Sequence, residues 1–183
     1  MLKILNIPNK TLTTPSKPIK NADVKLKKLI QQMEQTLMAQ DDPPGVGLAA
    51  PQIGENIQLF IIKPSEKAKT ELFINPRVIK KSSGRALYQN RSKAARTRGR
   101  NSSLEGCLSV PRIWSPVSRS KKILVEYKTL SGEKKREWLS EFKAVIVQHE
   151  IDHLKGILFT QRATEQGAPL YEEKGDKLER MKL

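Results

Sequence analysis

The sequence predicts one domain that mixes α-helices with short β-strands, and three observations carry that expectation. The chain has 183 residues, a length that suits a single domain with a real hydrophobic core. Two stretches repeat at helical spacing: Leu26, Leu29, Ile30, Met33 and Leu37, then Phe142, Val145, Ile146, His149 and His153. Between them, residues 123–128 and 135–139 are β-like and flank the turn Ser131-Gly132, so they read as two adjacent strands.

The elements follow in order. Residues 6–20 carry Pro8, Pro15 and Pro18 among Thr, Ser and Lys, which reads as an extended, irregular arm. A helix comes next, with Asn21 as its N-cap and Asp23 in its first turn, and Pro43-Pro44 ends it. Residues 45–54 form a glycine-rich loop. A strand is expected over 57–63 and another around 72–74, before Asn75-Pro76. From Lys80 to Arg100 basic residues recur without one acidic residue. Such a segment repels itself and buries little, so it reads as a mobile loop. Order resumes at Leu104, and after the paired strands Ser140 caps a second, largely buried helix that Gly156 stops. Beyond Phe159 a loop is expected, then two short extended pieces around Lys174-Gly175-Asp176. There is no internal repeat.

Bulk properties narrow the function. The net charge is +15, from 34 basic against 19 acidic side chains. That excess attracts polyanions such as RNA, DNA, an anionic membrane surface or an RNA-rich machine, although a basic soluble protein without such a partner carries it equally well. One cysteine excludes an internal disulfide framework and suits a reducing compartment. No apolar run approaches the length of a membrane span and the N-terminus lacks a signal peptide's apolar region, so a cytoplasmic protein without membrane attachment is expected.

The chemistry concentrates in the few histidine and cysteine residues. Both histidines sit in Gln148-His149-Glu150-Ile151-Asp152-His153, and Cys107 stands alone. Positions i and i+4 share one helix face, so the two imidazoles can converge on one metal ion. With Cys107 the chain offers three such ligands, one fewer than a closed structural site, which leaves a position for water. Glu150 follows a ligand directly, and its carboxylate can reach that water as general base; the plain alternative is a surface ion pair. Asp152 reads better as a group orienting a ligand or the neighbouring backbone. A pair of hydrogen-bonded core histidines and an inert buried thiol are the corresponding plain readings for His149, His153 and Cys107. Gly106 permits a close backbone approach beside Cys107. Gly45 and Gly47 lack the lysine of a phosphate loop and fit close approach to a peptide-like substrate, toward which Gln52 can direct an amide N–H at a developing oxyanion.

Three motifs together resemble peptide deformylases, in that family's order. They are Gly45-Val46-Gly47-Leu48-Ala49-Ala50-Pro51-Gln52, then Glu105-Gly106-Cys107-Leu108-Ser109, then Gln148-His149-Glu150-Ile151-Asp152-His153. The similarity covers most of residues 1–160. It implies an α+β fold with antiparallel β-sheets packed around a central helix bearing the His-Glu-x-x-His motif, in one catalytic domain over 1–183 with a basic insertion at about 82–103. It implies removal of the N-formyl group from the formyl-methionine of nascent chains, with release of formate. By resemblance, Cys107, His149 and His153 bind one divalent metal, typically Fe(II), with zinc, nickel or cobalt as replacements. Glu150 is then general base and acid, and Gln52 and the Leu108 backbone N–H stabilise the oxyanion. Val46, Gly47, Phe142, Val145 and Ile146 shape the groove and methionine pocket, with Gly106 beside them.

The chain also departs from the family. Trp114 stands where some bacterial members have an arginine that grips substrate; as an aromatic it either packs along the peptide or belongs to the core. The tail lacks the long C-terminal helix that those members present to the ribosome, and the basic insertion is no family hallmark. That insertion offers phosphate backbones a polycation, so ribosomal RNA is its expected partner. Two rivals remain. A peptide-cleaving zinc enzyme shares His-Glu-x-x-His but usually takes a third histidine or a glutamate as ligand. A basic RNA-binding module would not need Glu150 and a complete ligand set.

Overall fold

A computed structural model describes residues 1–41, 44–87, 104–175 and 177–182. The N-terminal arm is irregular but tied down. A 3-10 turn at Lys10–Thr13 buries Leu12 completely, and Lys17 bridges to Ile57. Helix α1 spans Val24–Met38. Asp23, not Asn21, caps it, because the Asp23 carboxylate accepts from the Leu26 N–H at 2.8 Å. It also ends before the prolines: Ala39 is the C-cap, and the Gln40 amide donates to the Thr36 carbonyl at 2.9 Å. Pro43 lies outside the described residues.

The strands are β1 (Gly47–Ala49), β2 (Leu59–Ile62), β3 (Glu71–Lys81), β4 (Arg85–Leu87), β5 (Glu105–Cys107) and β6 (Val110–Ser115). There follow β7 (Ser118–Ser120), β8 (Lys122–Lys128), β9 (Lys134–Ser140), β10 (Tyr171–Lys174) and β11 (Lys177–Arg180). They form a five-stranded sheet in the order β1-β2-β3-β8-β9, a four-stranded sheet β11-β10-β6-β5 and the pair β4-β7. All these pairings are antiparallel. The expected strands over 123–128 and 135–139 are the hairpin β8–β9.

Three expectations about strands are corrected. The glycine-rich loop expected over 45–54 contains β1 and a 3-10 turn at Ala50–Ile53. The strand around 72–74 does not stop at Asn75-Pro76 but continues to Lys81. A register shift between Ile74 and Arg77, with Asn75 at φ 49°, carries the chain past the proline. The Asn75 side chain meanwhile holds the arm, accepting from Ile19 N at 2.8 Å and donating to Ile19 O at 2.7 Å. Lys80 and Lys81 therefore belong to β3 and Arg85 to β4, not to a loop. The rest of the expected insertion, 88–103, lies outside the described residues.

Helix α2 spans Glu141–Leu154. Ser140 occupies the N-cap position, but its hydroxyl makes no capping bond. Gly156, at φ 71°, ends the helix in the left-handed conformation. A further helix, α3 (Phe159–Glu165), stands where a loop is expected; Phe159 and Ala163, one turn apart, are its buried residues. The two extended pieces near the C-terminus are the hairpin β10–β11.

Strand alternation divides the core across the large sheet. Ala49, Phe60, Ile62 and Phe73 face α2, where Ile146, Val147 and Ile151 meet them. Leu48, Leu59, Ile61 and Ile74 face α1, which covers them with Leu26, Met33 and Leu37. Burying each of these side chains other than that of Ala49 contributes about 1.5–3 kcal/mol. A third cluster joins Cys107, Val110 and Val117 to Phe159 and Ala163 of α3. The architecture is α+β with antiparallel sheets, and α2 is buried on nearly every side.

Candidate metal centre

Helix α2 carries His149, Glu150 and His153, and its position is pinned from β7. The Gln148 side chain accepts from Ser120 N at 3.1 Å and donates to Ser120 O at 2.8 Å. Strand β5 brings Cys107 to the same point from the other sheet. Cys107 Sγ lies 3.2 Å from His153 Nε2, which lies 3.2 Å from His149 Nε2. All three ligand atoms fall within 4.8 Å of one another. The His149 Nδ1–H faces Glu105 Oε1 at 2.7 Å, which leaves the Nε2 lone pair for the shared point. A sulfur and two imidazole nitrogens converging in a buried site fit a single divalent cation.

The charges agree with that fit. Burial pushes the Cys107 thiol up, but the charge of His153 and hydrogen bonds from His149 and His153 outweigh it and bring it to about 5. Burial opposes protonation of His149, yet Glu105 and Cys107 hold its pKa well above 6.5. Groups that attract a proton so strongly also attract a metal cation, which competes for the same lone pair.

Beneath the ligands runs a buried ion-pair chain of which the sequence reading singled out only Asp152. Arg119 donates to Glu105 through Nε at 2.8 Å and Nη2 at 2.6 Å, and to Asp152 through Nη1 at 2.9 Å. Arg162 closes the other side of Asp152 at 2.8 Å. Glu105 is 1% and Arg119 5% exposed. Burial pushes the Glu105 carboxyl up, but Arg119, aided by His149, reverses this and holds it at about 2. Among the described residues the Asp152 carboxylate thus bonds none of the three triad side chains directly; it holds Arg119, which holds Glu105, which orients His149. One signal was available for Glu105: residues i and i+2 of a strand point the same way, so Glu105 must accompany Cys107. Nothing comparable marks Arg119. Arg119→Met would leave Glu105 buried without its cation, and a loss of about 3–5 kcal/mol in stability is expected from urea unfolding. A loss below about 1 kcal/mol would show that the pair is dispensable to the fold.

Glu150 is buried beside the triad, and its Oε2 has no hydrogen-bond partner among the described residues. Burial pushes its carboxyl up to about 7 despite the neighbouring histidines. Gly47 makes room for it: a Cβ there would sit 2.8 Å from Glu150 Cδ. The Gln52 amide is anchored, its Oε1 accepting from Ala49 N at 2.8 Å. Its Nε2 therefore faces the triad, 3.6 Å from Cys107 Sγ and 3.2 Å from Ser109 Oγ.

A cleft opens onto these groups, lined by Val46, Gly47, Gly106, Leu108, Trp114 and Ile146 among others. Phe142 and Val145 do not line it: Phe142 packs against the core, and Val145 is fully buried. Trp114 is both wall and core, 8% exposed. Its ring lies so close over Gly106 that a Cβ there would meet it at 2.6 Å. The indole N–H donates to Glu173 Oε2 of the C-terminal hairpin at 2.9 Å.

A family model for polypeptide deformylases matches residues 1–168. The chain is 35% identical over 178 residues to a peptide deformylase of Desulfotalea psychrophila, covering 95% of this chain and 94% of the relative. It is 35% identical over 164 residues to peptide deformylase 1 of Bacillus cereus, covering 90% and 93%. Among solved structures, a plant peptide deformylase superposes with a TM-score of 0.76 at 33% identity, over 90% of this chain and 82% of that one. The Thermotoga maritima peptide deformylase gives 0.75 at 32% identity, over 88% and 97%.

Proposed function

The chain belongs to the polypeptide deformylase family of enzymes, and on that premise we propose that it hydrolyses the N-formyl group of formyl-methionyl nascent peptides to formate. The observation that carries this reading is the Cys107, His149 and His153 triad beside the buried carboxylate of Glu150, whose Oε2 lacks a partner among the described residues. We read α2 as the family's central His-Glu-x-x-His helix, and residues 1–183 as one catalytic domain with a basic insertion at about 82–103.

A divalent cation held by Cys107, His149 and His153 would supply Lewis-acid polarisation and lower the pKa of a bound water. Every other step falls to the chain. Glu150 takes the proton of the attacking water and passes it to the departing amine. The Gln52 amide, aimed by its bond to Ala49, donates with the Leu108 backbone N–H to the oxyanion of the tetrahedral intermediate. Val46, Gly47 and Ile146 line the groove for the methionine, with Gly106 at its wall; Phe142 and Val145 support it from behind. In the cell the metal is Fe(II). Iron stands low in the affinity order for such a ligand set, so zinc, nickel or cobalt replaces it readily.

The direct test is formate release from formyl-Met-Ala-Ser by freshly prepared anaerobic Fe(II) protein. Turnover without cleavage of the peptide bonds supports deformylation. Peptide-bond cleavage points to the zinc peptidase reading, and neither product points to a binding module.

Trp114 carries a further expectation. Trp114→Ala should raise KM for formylated tripeptides roughly 2- to 10-fold, the scale of one aromatic contact, with a smaller effect on kcat. Glu173→Ala should reproduce part of this, because Glu173 fixes the indole. A lower melting temperature with unchanged kinetics would make Trp114 core alone.

We place the enzyme in the cytoplasm, where nascent chains emerge; no helix among the described residues is long and apolar enough to cross a membrane. The basic insertion serves location, not chemistry. Deleting residues 89–100, which spares β4, should leave hydrolysis of a short formyl-peptide within about twofold while weakening ribosome co-sedimentation at low salt. Loss of short-peptide turnover in a folded protein would assign the insertion to the active site instead.

A further inference from the structure

Among the described residues, the face of the large sheet opposite α2 is covered only in part. Helix α1 packs on β1 and β2 there. The end of β3 with β8 and β9 lies beyond that cover, and β9 is the sheet's outer strand. Antiparallel partners project to the same side of a sheet, so the register defines what this bare region shows. One row is Lys80, Leu124 and Trp138. The next is Arg77, Glu126 and Arg136. Lys128 pairs with Lys134 on one side of these rows, and Lys122 with Ser140 on the other.

Two features of this face stand out physically. Trp138 is 48% exposed, whereas Trp114 is buried. An indole in solvent forgoes its hydrophobic gain, and Trp138 is held in place by the Lys122 ammonium, 4.9 Å from the ring centroid. Charge is the second feature. Glu126 is the single acidic side chain in those rows, and Arg77 and Arg136 both bind it. An aromatic and an aliphatic side chain therefore sit among cations on a three-stranded surface, and Lys80, Lys122, Lys128 and Lys134 have no carboxylate partner among the described residues.

We infer that this face binds single-stranded RNA, with Trp138 as the stacking surface for a base and the surrounding lysines as phosphate contacts. An unpaired base offers a π-face to the indole while its phosphodiester meets the cationic rim; a duplex hides its bases and gains only the rim. The face measures about 20 Å along β8 and about 10 Å across, enough for two or three nucleotides. A second copy of the chain is a poor occupant, because it would bring a like-charged surface to this one. The choice of RNA over DNA rests on the proposed action on nascent chains, which are made on RNA.

Fluorescence anisotropy with a labelled twelve-nucleotide oligouridine tests it, using the full chain. Trp138→Ala should weaken binding about tenfold at fixed salt while leaving its salt dependence unchanged. Trp138→Phe should restore most of it. Lys122→Ala with Lys134→Ala should instead flatten the salt dependence. Formate release from a short formyl-peptide should be the same in all of these proteins, so failure of the RNA result and failure of the deformylase reading are seen separately. Should Trp138→Ala fail to fold, the contrast between Trp138→Phe and Trp138→Leu decides whether an aromatic ring is needed. The inference is overturned if binding survives removal of the ring. It is equally overturned if an RNA duplex, polyglutamate or anionic vesicles bind as tightly as oligouridine, or if oligothymidine binds more tightly.

Discussion

Glu150→Gln is expected to keep its metal and bind formyl-peptide normally while losing about 10²–10⁴-fold in kcat, the range that a positioned general base contributes. The amide matches the carboxylate in shape, so it fits the space that Gly47 leaves. What it lacks is basicity. In the parent, burial lifts the carboxyl to about 7, so the group both accepts a proton and releases it near neutrality. Its Oε2 has no partner among the described residues, which leaves that atom free for the attacking water. Metal content by atomic absorption and kcat measured on the same sample check this. Near-normal turnover at full metal occupancy would remove Glu150 from the proton-transfer role.

Much of this was legible because strong periodicity and residue chemistry survive in any context. The β8–β9 hairpin follows from two β-rich runs around Ser131-Gly132, and α2 from its apolar spacing and Gly156. Convergence of Cys107, His149 and His153 follows from their scarcity and the i, i+4 spacing. The rest depends on tertiary structure. Asn75-Pro76 looks like a strand end, yet a register shift and the Asn75 bonds to Ile19 carry β3 onward. Helix α3 buries only Phe159 and Ala163, too few residues for a period to show. Arg119 looks like any surface arginine until folding places it between Glu105 and Asp152. Phe142 and Val145 share the helix with the ligands, but Phe142 packs against the core under the large sheet and Val145 is buried, and neither lines the cleft.

Cys107→Ser should cost the enzyme its metal. The thiol sits at about 5 in this site, so it is a thiolate near neutrality and supplies the negative charge of the ligand set. A serine hydroxyl at the same place stays protonated and offers a weaker donor. Because changing a partner of a ligand already costs roughly 10- to 100-fold in metal affinity, loss of the ligand itself should exceed that range. Dialysis against a chelator, followed by metal analysis, should strip Cys107→Ser under conditions in which the parent stays loaded, and deformylation should fall with occupancy. The Fe(II) parent should also lose activity in air, since iron and thiolate are both oxidisable. The fold should persist, because Glu105 and Arg119 hold β5 to α2 through Asp152 without the sulfur. Thermal unfolding of the apo forms tests that point: similar midpoints for parent and variant are expected. If Cys107→Ser instead retains iron as tightly as the parent, Cys107 is not a ligand, and two histidines must hold the metal with a group other than this sulfur.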